Sequence, residues 1–193
     1  MNDLSNIKRQ DSDNLAISML SENKCGVHMT GHITDKIYKG GELVETIEGH
    51  NLVVNSFLNL VMCLIKQQSG FKGIQYWAIG GGTPSWDSNM PTPDLNATRL
   101  TSEIGRVPIN AEDVKFLTPT FEESSTPTNI LQIKHTFTPT ECNGEWREFA
   151  IFGGNATATA NSGIMLNKRH HAVITKTEDM TIERTMRFTL SLV

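Results

Sequence analysis

The sequence has few cysteines, and their spacing suits neither a disulfide framework nor a zinc site. Its 193 residues include only Cys25, Cys63 and Cys142. Disulfide-rich chains carry even numbers of cysteines, and zinc sites carry closely spaced pairs. We therefore predict three free thiols.

The chain also lacks an excess of positive charge and a long apolar run. Its formal net charge is −4, which gives no electrostatic reason to expect a nucleic acid or an anionic membrane as a partner. The longest apolar stretch, Leu52 to Ile65, is interrupted by Asn55, Ser56 and Asn59 and is shorter than the roughly 20 residues of a membrane span. The first residues contain no apolar segment behind a positive charge, so we expect no secretory signal and assembly in a cytoplasm.

Complete catalytic and cofactor motifs are missing too. The triple glycine Gly80–Gly82 fails the dinucleotide fingerprint because Ser85 stands where the last glycine is needed, and no Gly-Lys-Ser/Thr follows it. There is no G-x-S-x-G elbow and no histidine recognisably placed beside a thiol. We predict no enzymatic activity, no cofactor and no metal, and interpret the glycines as the end of a buried strand before a long surface loop.

Carboxylates remain the candidates for a hydrolase alternative, in which Glu103 or a similar residue acts. Strand alternation places Glu145 and Glu148 on opposite sides, so that pair is not expected to act together, and Arg147 is expected to form surface or interface ion pairs with them. The full candidate set is Glu103, Glu122, Glu123, Glu145 and Glu148.

Histidines form two further groups. His28 and His32 lie four residues apart and could both bind a metal ion from one side of a strand. No acidic or thiol residue is spaced to complete such a site, so the favoured interpretation is a solvated strand face. The segment "NKRHH", residues 167–171, could contact a nucleic acid or an acidic surface, but the favoured interpretation is a charged loop or edge strand.

The hydrophobic pattern predicts a mainly β protein. Residues 1–25 are polar and are expected to form an extended N-terminal arm. From Val27 a β-hairpin turns at Gly40-Gly41, and residues 52–67 have the period of an amphipathic helix that packs through Val53, Phe57, Leu60, Val61 and Leu64. Short alternating strands follow, linked by polar loops. The prediction is one domain, residues 26–193, folded as an antiparallel β-sandwich of jelly-roll or immunoglobulin-like type with one packed α-helix.

The order of several short segments resembles small virion structural proteins of tailed bacteriophages. A helix follows an "N-x-x-x-N" start, a strand ends in a glycine turn, an "L-x-x-E-x-x-R" segment follows, and a later strand carries an "E-x-G-L-F"-like motif. The segments are "GHNLVVNSFLNLVMCLIK", "QYWAIGGGTPSWD", "LNATRLTSEIGRVPI" and "GEWREFAIFGG". The resemblance covers residues 45–190, with Ala150 in place of the motif's glycine.

This resemblance implies a multi-copy component of a virion's tail, neck, collar or baseplate. The implied partners are further copies of the chain and other virion proteins, with a host surface as a further candidate. Capsid decoration is an alternative position in the virion. A fibre-associated receptor- or glycan-binding module is another alternative, and Trp86, in a loop, is its candidate contact.

Overall fold

The computed structural model describes residues 26–192, which are mainly β with one α-helix, and this confirms the coarse prediction. The helix is α1 (Ser56–Ile65), and two short 3-10 helices cover Pro84–Asp87 and Ala111–Asp113. The strands are β1 (Val27–Lys39), β2 (Glu42–Val53), β3 (Lys72–Gly80), β4 (Glu103–Pro108), β5 (Val114–Leu117), β6 (Glu123–Ser124), β7 (Ile130–Phe137), β8 (Gly144–Gly154), β9 (Ile164–Lys176) and β10 (Met180–Leu192). Over the described residues, helices of the length and apolarity needed to cross a bilayer are absent.

The described strands form one open sheet in the order β4-β3-β8-β9-β2-β1-β10-β7-β5-β6. β8 and β9 pair along most of their length, whereas β2 meets β9 only at Leu52 and Val53. Residues 29–189 make up one compact unit, and the described residues 26–28 and 190–192 belong to a second. In that second unit the Ser191 hydroxyl donates to the carbonyl of His28 at 3.4 Å. The predicted arm, residues 1–25, lies outside the described residues.

The predicted hairpin is confirmed at β1 and β2. Lys39 pairs with Glu42, so Gly40 and Gly41 form a two-residue loop, with φ of 58° and 87°. Two positive φ angles in succession match the twist of the flanking strands and are readily adopted by glycine.

The helix is shorter than predicted and less buried. Leu52 and Val53, predicted as its first turn, pair instead with β9, and the Ser56 hydroxyl donates to the carbonyl of Met165 at 2.7 Å. Leu60 is the helix's only fully buried residue, and Leu64, predicted to pack, is 41% exposed. The apolar run therefore serves two elements, which its period alone could not separate.

The hydrophobic core is formed by side chains from strands that are distant in the sequence. Trp77 and Trp146 are both 0% exposed, and the rings of Phe137 and Trp146 meet edge to face at 4.9 Å. A second cluster gathers around Ala78, Ala150 and Phe152. The larger cluster contains buried side chains from both halves of the strand order.

The triple glycine ends a buried strand, as predicted. β3 stops at Gly80, the N–H of Gly81 donates to the carbonyl of Ser102 at 2.7 Å, and Gly82 has φ of 55°. A Cβ on Gly82 would lie 2.5 Å from the Trp86 ring, and one on Gly80 would lie 2.6 Å from Cγ of Glu148. The turn therefore excludes side chains at both of its ends.

Gly82→Ala is expected to lower the free energy of unfolding by about 1–3 kcal/mol, because alanine at positive φ is strained and its Cβ collides with Trp86. Gly73→Ala is the matched control, since a Cβ there has no neighbour within 4 Å. Urea denaturation followed by tryptophan fluorescence measures both variants. Equal midpoints for the two would contradict this role of Gly82.

Candidate functional site

The segment between β3 and β4, residues 81–102, is a long loop held by charged side chains of β8 and β9. Glu148 of β8 is 0% exposed, and its Oε1 accepts from the N–H of Ser102 at 2.9 Å. Its Oε2 lies 3.0 Å from Nζ of Lys168, which also donates to the carbonyl of Arg99 at 3.3 Å. A buried ion pair thus anchors the loop at two backbone positions.

His170 holds the middle of the same loop. Its Nδ1 lies 2.8 Å from the carbonyl of Pro91, and its ring stacks on Trp86 with centroids 4.2 Å apart. Burial lowers the pKa of His170, which favours the neutral ring with Nδ1–H donating to Pro91. Trp86, the candidate glycan contact, is half-buried and serves as a loop anchor.

Arg147 fixes the start of the loop. Its Nε and Nη2 donate to the two carboxylate oxygens of Asp87 at 2.7 Å, and its Nη1 donates to Glu145 at 2.7 Å. Its side chain is only 4% exposed, whereas the carboxylates of Asp87 and Glu145 are 42% and 56% exposed, so a buried guanidinium pairs with two carboxylates at the surface. The pairing with Glu145 is confirmed, but Asp87 takes the place predicted for Glu148. The hydrogen bond from Arg147 lowers the pKa of Asp87.

A β-bulge brings Arg147 and Glu148 to the same turn. The register between β8 and β9 shifts between Trp146 and Glu148, and a bulge breaks the alternation that would place two adjacent residues on opposite sides of the sheet. Arg147 and Glu148 consequently both contact the triple-glycine turn, at Gly82 and Gly80.

Glu103, the candidate for a hydrolase, has both carboxylate oxygens engaged. Oε1 and Oε2 accept from Arg106 at 2.6 and 2.9 Å, and Oε2 also accepts from the N–H of Asn161 at 2.6 Å. Arg106 donates in turn to the carbonyl of Thr157 at 2.8 Å. The Glu103–Arg106 pair thus ties the loop between β8 and β9 to β4, just as the Glu148–Lys168 pair ties the loop of residues 81–102 to β8 and β9.

The remaining predicted acids and histidines are dispersed. Glu122 and Glu123 are exposed, and Glu123 pairs with Lys115 at 2.9 Å. His28 is exposed, whereas the His32 ring meets His50 edge-on at 5.3 Å. Over residues 26–192, no group of three or more His, Cys, Asp or Glu side chains is arranged to hold a metal ion. Cys63 and Cys142 are free, and burial raises the pKa of Cys142 to about 11.

The interpretation of "NKRHH" as a charged loop or edge strand is wrong. These residues belong to β9, which lies between β8 and β2. Lys168 and His170 meet Glu148, and the Asn167 side chain accepts from the N–H of Ile151 at 2.8 Å. The partners lie in other strands, so a local charge pattern could not identify them.

A further buried ion pair, missed from the sequence, lies within the core. Nε and Nη2 of Arg184 donate to the two oxygens of Asp35 at 2.7 and 2.8 Å, and both side chains are at most 3% exposed. The guanidinium lies 4.3 Å from the centroid of the Phe149 ring. This arrangement ties β1 to β10 at a unique register, because a one-residue slip would leave both charges unpaired.

The protein is expected to lose stability as the pH falls from about 6.5 toward 4. His171 is 8% exposed, and burial, with a further contribution from Arg184, lowers its pKa to about 4. In this window the unfolded chain binds a proton at His171 that the folded chain does not, at a cost of about 3 kcal/mol. Asp35 and Arg169 are the other charged groups that act on it.

Urea titrations at pH 7, 6, 5 and 4 measure this effect, with His171→Asn as the variant whose profile is expected to flatten. Burial also lowers the pKa of His32 and His170, so a smaller slope is expected to persist in the variant. Identical profiles for both proteins would show that His171 does not contribute.

No family model, curated protein or solved structure matches the chain. The geometry of the anchored loops therefore carries the functional proposal.

Proposed function

We propose that the protein is a non-enzymatic structural component of a tailed-bacteriophage virion, present in many copies and acting through protein–protein contacts in the tail, neck or baseplate region. The observation that carries the proposal is that buried charged side chains anchor long loops by hydrogen bonds to the loop backbone. Loops ordered before binding reduce the entropy cost of forming an interface. The segment order that resembles phage virion proteins supplies the biological setting.

The engagement of the candidate carboxylates favours this proposal over a hydrolase. Glu103 and Glu148 are both almost completely buried, and each is bound to a basic side chain and a backbone N–H. A general acid or nucleophile needs access to substrate, which these two groups lack as arranged.

We infer further that the sheet folds over on itself as a β-sandwich. β7 and β8 are five places apart in the strand order, which corresponds to about 24 Å in a flat sheet at the usual strand spacing. Nevertheless Phe137 of β7 and Trp146 of β8 are in ring contact. The short pairing of β2 with β9 marks where the two layers would separate.

The proposed location follows from the proposed role. The chain would be made in the host cytoplasm and incorporated into the virion, where its partners are further copies of itself and other virion proteins. Capsid decoration is supported by the same observations and differs only in position. A glycan-binding role gains less support, because one face of Trp86 is occupied by His170.

Light scattering with negative-stain imaging tests the proposal on the full chain and on residues 26–193. We expect a ring or another defined oligomer from the full chain and a smaller species without residues 1–25. A monodisperse monomer for both proteins, at every concentration tested, would count against a self-assembling building block.

A further inference from the structure

The outward face of α1 is apolar although nothing among the described residues covers it. Leu58, Met62 and Ile65 follow one another at helical spacing and are 59%, 62% and 69% exposed. The helix Ser56–Ile65 contains no charged residue, whereas the solvent face of a surface helix usually carries polar or charged side chains. An exposed apolar patch of this kind marks a contact surface. We name these three residues the α1 face.

The N-terminal residues carry a segment whose chemistry matches the α1 face. The densest apolar stretch of residues 1–25 is "LAISML", residues 15–20, preceded by Asp13 and followed by Glu22. The α1 face is followed by the exposed Lys66 and then by the exposed Lys72 at the start of β3. The segment is apolar and flanked by acids, and the α1 face is apolar and lies beside bases, so the two are complementary in both respects.

We propose that residues 15–20 of one copy pack on the α1 face of a neighbouring copy. The inference rests on the proposed function, because a multi-copy assembly needs a contact between copies and packing on the same copy would not provide one. The chain between residue 20 and residue 26, where the described part begins, spans at most about 20 Å, and from residue 15 about 40 Å. That reach is comparable with the size of a small domain and allows the segment to extend to an adjacent subunit.

Cysteine cross-linking between two tagged populations of the full chain tests the contact. One population carries Ile17→Cys and the other Met62→Cys, and they are mixed before oxidation. We expect a cross-linked species containing both tags, with the 17–62 disulfide identified by mass spectrometry. Each variant mixed with the unsubstituted chain controls for the natural cysteines. The absence of a 17–62 disulfide between the two tagged populations would overturn the proposal.

Substitution of the α1 face supplies the second measurement. Met62→Gln/Ile65→Gln is expected to weaken self-association at least tenfold, because apolar side chains would be removed from the interface. Asn59→Gln, an exposed polar change on the same helix, is the matched control and should leave association unchanged. Circular dichroism confirms that each variant is folded.

The outcomes separate the two proposals. If the full chain assembles and the α1-face variant assembles equally well, the arm contact is wrong and the building-block role stands. If the unsubstituted full chain neither assembles nor enters particles, the proposed function itself fails.

Discussion

Arg184→Leu is expected to destabilise the protein by about 3–5 kcal/mol, because it leaves the carboxylate of Asp35 buried without its partner. Asp35 is 2% exposed, and both of its oxygens accept from Arg184. The variant also loses the stacking of the guanidinium on Phe149, at 4.3 Å. A loss of this size approaches the whole stability of many domains. Urea denaturation at pH 7, followed by tryptophan fluorescence, measures it.

The double variant Asp35→Leu/Arg184→Leu is expected to be more stable than Arg184→Leu alone, since it removes both charges together. Glu183→Gln provides a control at a partly exposed pair, where Lys134 approaches the carboxylate at 2.8 Å, and it should cost less than about 1 kcal/mol. Additive losses in the double variant would mean that the two charges do not act as a pair.

Glu148→Gln is expected to release the loop of residues 81–102 and to cost about 3 kcal/mol, because Nζ of Lys168 would stay buried without its counter-ion. The glutamine retains an oxygen for the N–H of Ser102, so the loss isolates the effect of the charge. Hydrogen exchange at Ser102 and limited proteolysis within the loop should both become faster than in the unsubstituted protein.

Glu145→Gln is the matched control for this prediction. Glu145 contacts Arg147 but is 56% exposed, so its replacement should change the stability by less than about 1 kcal/mol. The two glutamates lie three residues apart on the same strand and differ chiefly in burial. Equal loop protection in both variants would refute the claim that the buried pair holds the loop.

Local patterns in the sequence predict most of the secondary structure. The strand that ends at Gly80 and the turn at Gly40-Gly41 are both present as expected. Each depends on residues adjacent in the chain, through strand alternation or the positive φ that glycine readily adopts. The predicted helix start is wrong because Leu52 and Val53 fit both a helical period and a strand.

The anchoring charges could not be paired from the sequence, since their partners are distant along the chain. Asp35 and Arg184 are 149 positions apart. A signal was nevertheless present in the alternation of apolar residues. Asp35 occupies the inward-facing position between Ile33 and Ile37, and Arg184 occupies the one between Ile182 and Met186. Two opposite charges at buried positions of two strands favour an ion pair, because an unpaired buried charge is costly.

The most direct test of a virion role is mass spectrometry of density-gradient-purified particles released from cells that carry the gene. We predict that the chain sediments with the particles in many copies per particle, and that an antibody against it labels the tail, neck or baseplate. Its absence from intact particles, together with recovery of the chain only in the soluble fraction of the lysate, would contradict the proposed role.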